Sequence, residues 1–165
     1  MRCLKASEKD IPLIRDVAYR TWPLAYKEIL SASQMEYMLE KFYSDGALKE
    51  QMNSGHHFLL VYLNHTPAGF ASYSIDESES ISRLHKLYVL PEYQKLGLGQ
   101  FLLKQVIQNV RPLSEKLELN VNRHNNALHF YERNHFKVAR TEDIDIGKGY
   151  FMNDYVMELS FRKNG

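Results

Sequence analysis

The spacing of apolar positions changes repeatedly along the chain, and each change predicts an element. "RCLKAS" is a short strand, and Ser7 is placed to cap the helix after it. Ile11, Leu13, Ile14, Val17 and Ala18 fall at helical spacing, with Asp10 and Pro12 suited to the first turn. Pro23 predicts the end of that helix and an extended Trp22. A second helix opens at "SQME", where Ser33 and Glu36 form a capping-box pattern ahead of Met35, Met38, Leu39 and Phe42. From His56 the period becomes that of strands. "HFLLVYL" and "AGFASYSI" read as a hairpin across "NHTP", and "SISRLHKLYVL" as a third strand stopped by Pro91. On that third strand the two-residue period puts Arg83, His85, Leu87 and Val89 on one face. A long helix then turns Leu98, Phe101, Leu102, Val106, Ile107 and Val110 inward. "KLELNV" is a strand, "NNALHFYERN" a helix, and "FKVART" and "YFMNDYVMELSF" are closing strands. The predicted order is β-α-α-β-β-β-α-β-α-β-β. Its class is α/β (α+β): a mixed sheet with a right-handed parallel crossover in the middle and helices on both faces.

Composition narrows the class of molecule. A chain of 165 residues is expected to form one domain over residues 1–165, with 44% hydrophobic and 25% charged residues. The formal charge of +1 supplies no field for nucleic acid or an anionic membrane. No apolar run is long enough to span a bilayer, and "MRCLKASEKD" has no signal-like core. The single cysteine, Cys3, excludes an internal disulfide and fits a reducing compartment, so a cytoplasmic protein is expected. No metal is expected. His56 and His57 are adjacent, and His124 and His129 lie five apart without a carboxylate or cysteine at ligand spacing.

"QKLGLGQ" opens the long helix, with glycines at 97 and 99. A dinucleotide fingerprint would need a third glycine where Leu102 stands, and a P-loop would need Gly-Lys-Ser/Thr. A plain strand-to-helix turn needs only one glycine. Two glycines beside Gln94 and Lys95 suit a helix N-terminus whose bare N–H groups face a diphosphate.

The segment Gln94–Gly99 after "LYVLPEY", and "NNALHFYERNHF" further on, resemble the coenzyme A segments of the GNAT acetyltransferase superfamily. The resemblance covers essentially the whole chain. "TWPLAYKEILSASQMEYML" and "GYFMNDYVMEL" further resemble its bacterial spermidine/spermine acetyltransferase subgroup. The resemblance implies a GNAT-like sheet and an N-acetyltransferase that takes acetyl-CoA as co-substrate. Gln94, Lys95, Leu96, Gly97, Leu98, Gly99 and Gln100 would hold the pyrophosphate. Leu87, Tyr88 and Val89 would pair with the pantetheine arm as an added strand, the parallel strand Leu117–Val121 splaying away, and Asn120, Asn125 and Ala127 would complete the cofactor site. Homodimers are common in the family.

Tyr131 matches the tyrosine that hydrogen-bonds the cofactor sulfur in the family and can serve as general acid; by itself it reads as a core aromatic beside Phe130. Asn125 also reads as the cap of its helix. His85 stands where many relatives carry a glutamate base, and it reads equally well as a hydrogen-bonded core histidine. Trp22, Tyr26 and Asp154, with His85, lie in segments that form the acceptor cleft in relatives, where aromatic rings and a carboxylate would hold an amine cation. Trp22 and Tyr26 also suit interhelix packing. His135 replaces the glycine usual after the second cofactor helix and predicts a turn at positive φ. The acceptor reads as a small-molecule primary amine, a polyamine among the candidates; amino acids, aminoglycosides and peptide N-termini remain open. So does a sensor that binds acyl-CoA without turnover.

Overall fold

The computed structural model describes residues 1–161; residues 162–165 of the expected domain lie outside them. Seven strands form one mixed sheet in the order β1-β2-β3-β4-β5-β7-β6. They are β1 (Arg2–Lys5), β2 (His57–Leu63), β3 (Thr66–Asp76), β4 (Ile81–Val89), β5 (Lys116–Asn122), β6 (Lys137–Gly147) and β7 (Tyr150–Ser160). Helices α1 (Ile11–Tyr26), α2 (Ala32–Tyr43) and α3 (Asp45–Asn53) precede β2, while α4 (Leu98–Val110) and α5 (Ala127–Arg133) flank β5. Every pairing is antiparallel except β4 with β5, which is the expected parallel crossover.

The alternation along the strands feeds two cores. Ala71, Tyr73, Leu117 and Leu119 pack with Leu98, Leu102 and Val106 of α4 and with Tyr131 of α5. Phe58, Leu60 and Phe70 point the other way, against Ile14, Val17 and Trp22 of α1 and Leu39 of α2. The β2–β3 hairpin turns at Asn64 and His65, both at positive φ (50° and 71°), the pairing that a two-residue hairpin turn demands.

The first half of the chain departs from expectation. α1 does not stop at Pro23 but runs through it to Tyr26. The ring removes one bond, to the Tyr19 carbonyl, and Tyr19 sits at the surface. Against that loss, the last turn buries Trp22 against Tyr43 and Tyr88, so packing wins over the local signal. Leu13, counted on the apolar face, is exposed. α2 is capped by Ser31, whose Oγ accepts the Gln34 N–H at 3.1 Å, so the Ser33–Glu36 box is not the start. α3 was not expected. It begins on Ser44, whose Oγ accepts from the Ala47 N–H at 3.2 Å, and anchors through a single fully buried residue, Leu48. One buried residue in nine leaves little period to read.

Candidate functional site

β4 and β5 hydrogen-bond only where Ile81–Leu84 face Lys116–Leu119. Beyond Leu84 they part, although β5 stays paired with β7 through Asn122 and β4 with β3 through Val89. The gap leaves the β5-facing edge of Leu87–Val89 without a partner strand, and a cleft of about 1560 Å³ runs through it.

At one end of the cleft, β4 closes with a short 3-10 turn, Pro91–Tyr93, and α4 begins three residues beyond Lys95. Gly97 caps α4 at φ 82°, and Lys95 also has positive φ, 70°. The Gln94 amide donates to the Val89 carbonyl at 3.1 Å, tying the turn to the strand end. A Cβ on Gly99 would meet nothing nearer than Phe130 at 3.7 Å, so the protein's own packing does not require glycine there. On the far wall, Asn125 Oδ1 accepts the Ala127 N–H at 2.9 Å; the cap position of α5 itself is Asn126, one residue later than expected. His135 has the expected positive φ, 72°.

The sequence-predicted residues converge on this cleft. Leu87, Tyr88, Val89, Gln94, Lys95, Gly97, Leu98, Gly99 and Gln100 line one wall, and Asn120, Asn125, Ala127 and Tyr131 the other, with Trp22, Tyr26, His85 and Asp154 toward the open end of β4. Leu96 is the exception: its side chain is 53% exposed and outside the lining. Asn120 plays a different part from the one expected of its side chain. Its Nδ2 donates to Asp154 Oδ2 at 3.2 Å and Glu142 Oε2 at 3.4 Å, and its Oδ1 accepts from Arg83.

One feature could not be read from the period. Ser72 pairs with Lys86 and Tyr73 with Leu84, so His85 is an extra residue, a β-bulge in β4. The bulge turns Leu87 and Val89 toward α4, while Arg83, His85, Lys86 and Tyr88 face α1–α3, correcting the expected single face. His85 shares a 2.7 Å hydrogen bond with Ser74 Oγ and stacks on His56. Burial, then the nearby His56, Lys86 and Arg83, lower its pKa to about 3. An imidazole this weakly basic is a poor partner for an ammonium near 10.4, so the geometry favours the histidine as a neutral hydrogen-bonding group over the base considered from sequence. Lys86 was missed. Its Nζ donates to Gln51 Oε1 at 2.8 Å and lies over the Tyr43 ring at 5.4 Å, and burial lowers its pKa to about 8.

A tyrosine layer lines another part of the cleft. The Tyr26 and Tyr88 hydroxyls meet at 2.9 Å, and Trp22 stacks behind Tyr26 with centroids 4.7 Å apart. Trp22 is only 4% exposed, so it backs this wall more than it forms it. Tyr131 is buried, edge-on to Phe130 and Phe136, and burial raises its phenol above the usual range, keeping it protonated.

The comparisons agree with this geometry. The family pattern described as an acetyltransferase (GNAT) domain matches residues 26–159. A spermidine N(1)-acetyltransferase of Thermoplasma acidophilum is 30% identical over 165 residues, 95% of each chain. The crystal structure of PaiA N-acetyltransferase from Thermoplasma acidophilum, in complex with coenzyme A, superposes with a TM-score of 0.81 at 27% identity, covering 97% of this chain and 98% of that one. The fold is shared as well by the ribosomal-protein-S18-alanine N-acetyltransferase of Escherichia coli, at a TM-score of 0.74, 19% identity and coverage of 99% and 96%. A strand splayed from its neighbour, a glycine turn into α4 and a family match over most of the chain lead to one conclusion: this protein belongs to the GNAT family and is an N-acetyltransferase.

Proposed function

We propose that the protein transfers the acetyl group of acetyl-CoA to the primary amine of a small molecule by direct attack. The observation that carries this reading is the unpaired edge of Leu87–Val89 running into the Gly97–Gly99 turn. The edge offers main-chain groups to the amides of a pantetheine arm, as an added strand would. The turn offers main-chain N–H groups at a helix start to a pyrophosphate, and the open space at Gly97, with nothing within 4 Å, lets that anion approach. The thioester then lies near Tyr131, whose protonated phenol donates to the departing sulfur.

On the acceptor side, Tyr26 and Tyr88 give an aromatic wall and Asp154 a buried carboxylate, a combination suited to a cationic amine. The likeness to a spermidine acetyltransferase supports a polyamine among such amines. Among the described residues no helix is long and apolar enough to cross a membrane, and a half-buried free thiol at Cys3 supports a cytoplasmic setting. The test is release of free thiol from acetyl-CoA across a panel of amines, spermidine included, alongside calorimetry of coenzyme A binding. Turnover with one amine class is expected. Binding without turnover on any amine would make the protein a sensor, and no binding would remove the cofactor reading altogether.

A further inference from the structure

Two carboxylates on the α1–α3 face of the sheet are almost sealed from solvent, Glu118 at 7% and Asp154 at 3% exposure. Their surroundings differ in kind. Glu118 is ringed by Arg83 at 3.5 Å, Lys116 at 3.3 Å and Arg140 at 3.7 Å. Asp154 has no cation within ion-pair distance among the described residues. One oxygen accepts a single bond from the Asn120 amide, and the residue directly across the strand pair on β6 is another carboxylate, Glu142, held by the same amide. Arg123 reaches only the main-chain carbonyl of Asp154, at 3.3 Å, and spends its other arm on Glu142 O and the Asp143 carboxylate. Arg83 is committed to Glu118 and Asn120.

A desolvated anion beside a second anion is unfavourable unless a cation or a proton arrives. Asp154 lines the cleft, so both can come from the ligand. We propose that Asp154 receives the ammonium of the acceptor and takes its proton, and that Glu142 passes that proton to solvent. The inference rests on the acetyltransferase reading above.

The protons balance as follows. The ammonium gives one proton to Asp154, leaving a neutral amine with a free lone pair. The nitrogen attacks the thioester carbon, the C–S bond breaks, and the sulfur takes a proton from Tyr131. The new amide nitrogen sheds its second proton, which restores Tyr131 through the hydroxyls of Tyr26 and Tyr88. The proton on Asp154 moves to Glu142, whose side chain is 34% exposed, and leaves to water.

The charged groups facing Asp154 pull in both directions. Burial raises its carboxyl pKa, the Asn120 bond lowers it, Glu142 raises it, and Arg123 and Arg83 lower it; the net shift is upward, which makes it a better proton acceptor than an ordinary aspartate. His85, at about 3, does not compete. Tyr26 stands close enough to feel the Asp154 charge, which places the aromatic wall and the base on one ligand.

The experiment measures kcat/KM against pH for the full-length protein with two amines of similar shape, one a simple alkylamine and one made weakly basic by fluorine. In the wild type, kcat/KM for the alkylamine should level off above neutral pH. In Asp154→Asn it should fall about a hundredfold at pH 7 and climb about tenfold per pH unit toward the amine pKa. With the weakly basic amine the loss should shrink below about fivefold, while calorimetric coenzyme A affinity stays within about twofold. Glu142→Gln should slow turnover only a few fold. Equal losses on both amines, or a wild-type profile in Asp154→Asn, overturn the proposal while leaving the enzyme reading intact. If Asp154→Asn does not fold, the wild type decides: a rise that never levels off below the amine pKa overturns it. Silence of the wild type on every amine sinks the enzyme reading instead, and this one with it.

Discussion

His56 and His85 lie face to face, ring centroids 4.0 Å apart and planes 9° from parallel, one from the residue before β2 and one from the bulge in β4. Neither can gain a proton without confronting the other, and Lys86 adds a third positive group beside them. Both rings are held below the usual histidine range, chiefly by burial.

The stack therefore predicts acid lability. The unfolded chain protonates His85 near pH 6.5, whereas the folded chain resists until about 3, so the unfolded state binds more protons in that window. Stability is full above about 6.5 and drains as the pH falls toward 3. His85→Gln, which cannot titrate, should show a shallower loss across this window in chemical denaturation at stepped pH. Parallel curves for the two proteins would mean that the stack does not sense protons.

Lys86 makes a prediction of the same sense in a more alkaline window. Its folded pKa of about 8 lies below the unfolded value, so between the two the unfolded state binds more protons and stability rises with pH. Lys86→Met keeps the length and removes the buried charge. It should stabilise the fold at pH 7 by about 1 kcal/mol, and the wild type should close the gap from pH 8 upward. A clear loss at pH 7 would show that the Tyr43 and Phe58 rings and the Gln51 bond outweigh desolvation.

Two glycines should separate folding from cofactor binding. A Cβ at Gly69 would fall 2.6 Å from the Tyr88 carbonyl and 3.2 Å from Val89 Cα, main-chain atoms that cannot rotate away. Gly69→Ala is expected to cost about 1–3 kcal/mol by thermal unfolding. A Cβ at Gly99 would meet Phe130 and Leu87 at ordinary contact distances, 3.7 Å and beyond, so the melting temperature of Gly99→Ala should hold while coenzyme A affinity drops about tenfold or more, since the methyl adds bulk beside the N–H groups offered to the anion. Unchanged affinity in Gly99→Ala would locate the pyrophosphate elsewhere.

Tyr131→Phe removes one hydroxyl from a ring otherwise held by Phe130 and Phe136, so the fold should survive. Turnover should fall about 10- to 100-fold with coenzyme A affinity nearly intact. A variant as fast as the wild type would leave Tyr131 as packing alone.

Most strand and helix periods, α3 and the bulged face of β4 excepted, a hairpin within residues 64–67, the glycine turn into α4 and the positive φ at His135 were legible locally, because each depends on neighbours a few residues away. One wall of the cleft comes from a short stretch for the same reason: Leu87–Val89 and Gln94–Gln100, Leu96 apart, lie close together in the chain. What tertiary structure decided needs partners distant in the chain. α1 passes through Pro23 because Tyr43 and Tyr88 cover Trp22. His85 lost its basicity because a bulge, set by pairing with β3, laid it on His56 beside Lys86. Among the described residues Asp154 has no cation within ion-pair distance, because Arg83 and Arg123 are drawn to other partners. Local preference selects an element from its own residues, whereas the protonation of a side chain answers to every charge and every apolar wall the fold brings near it.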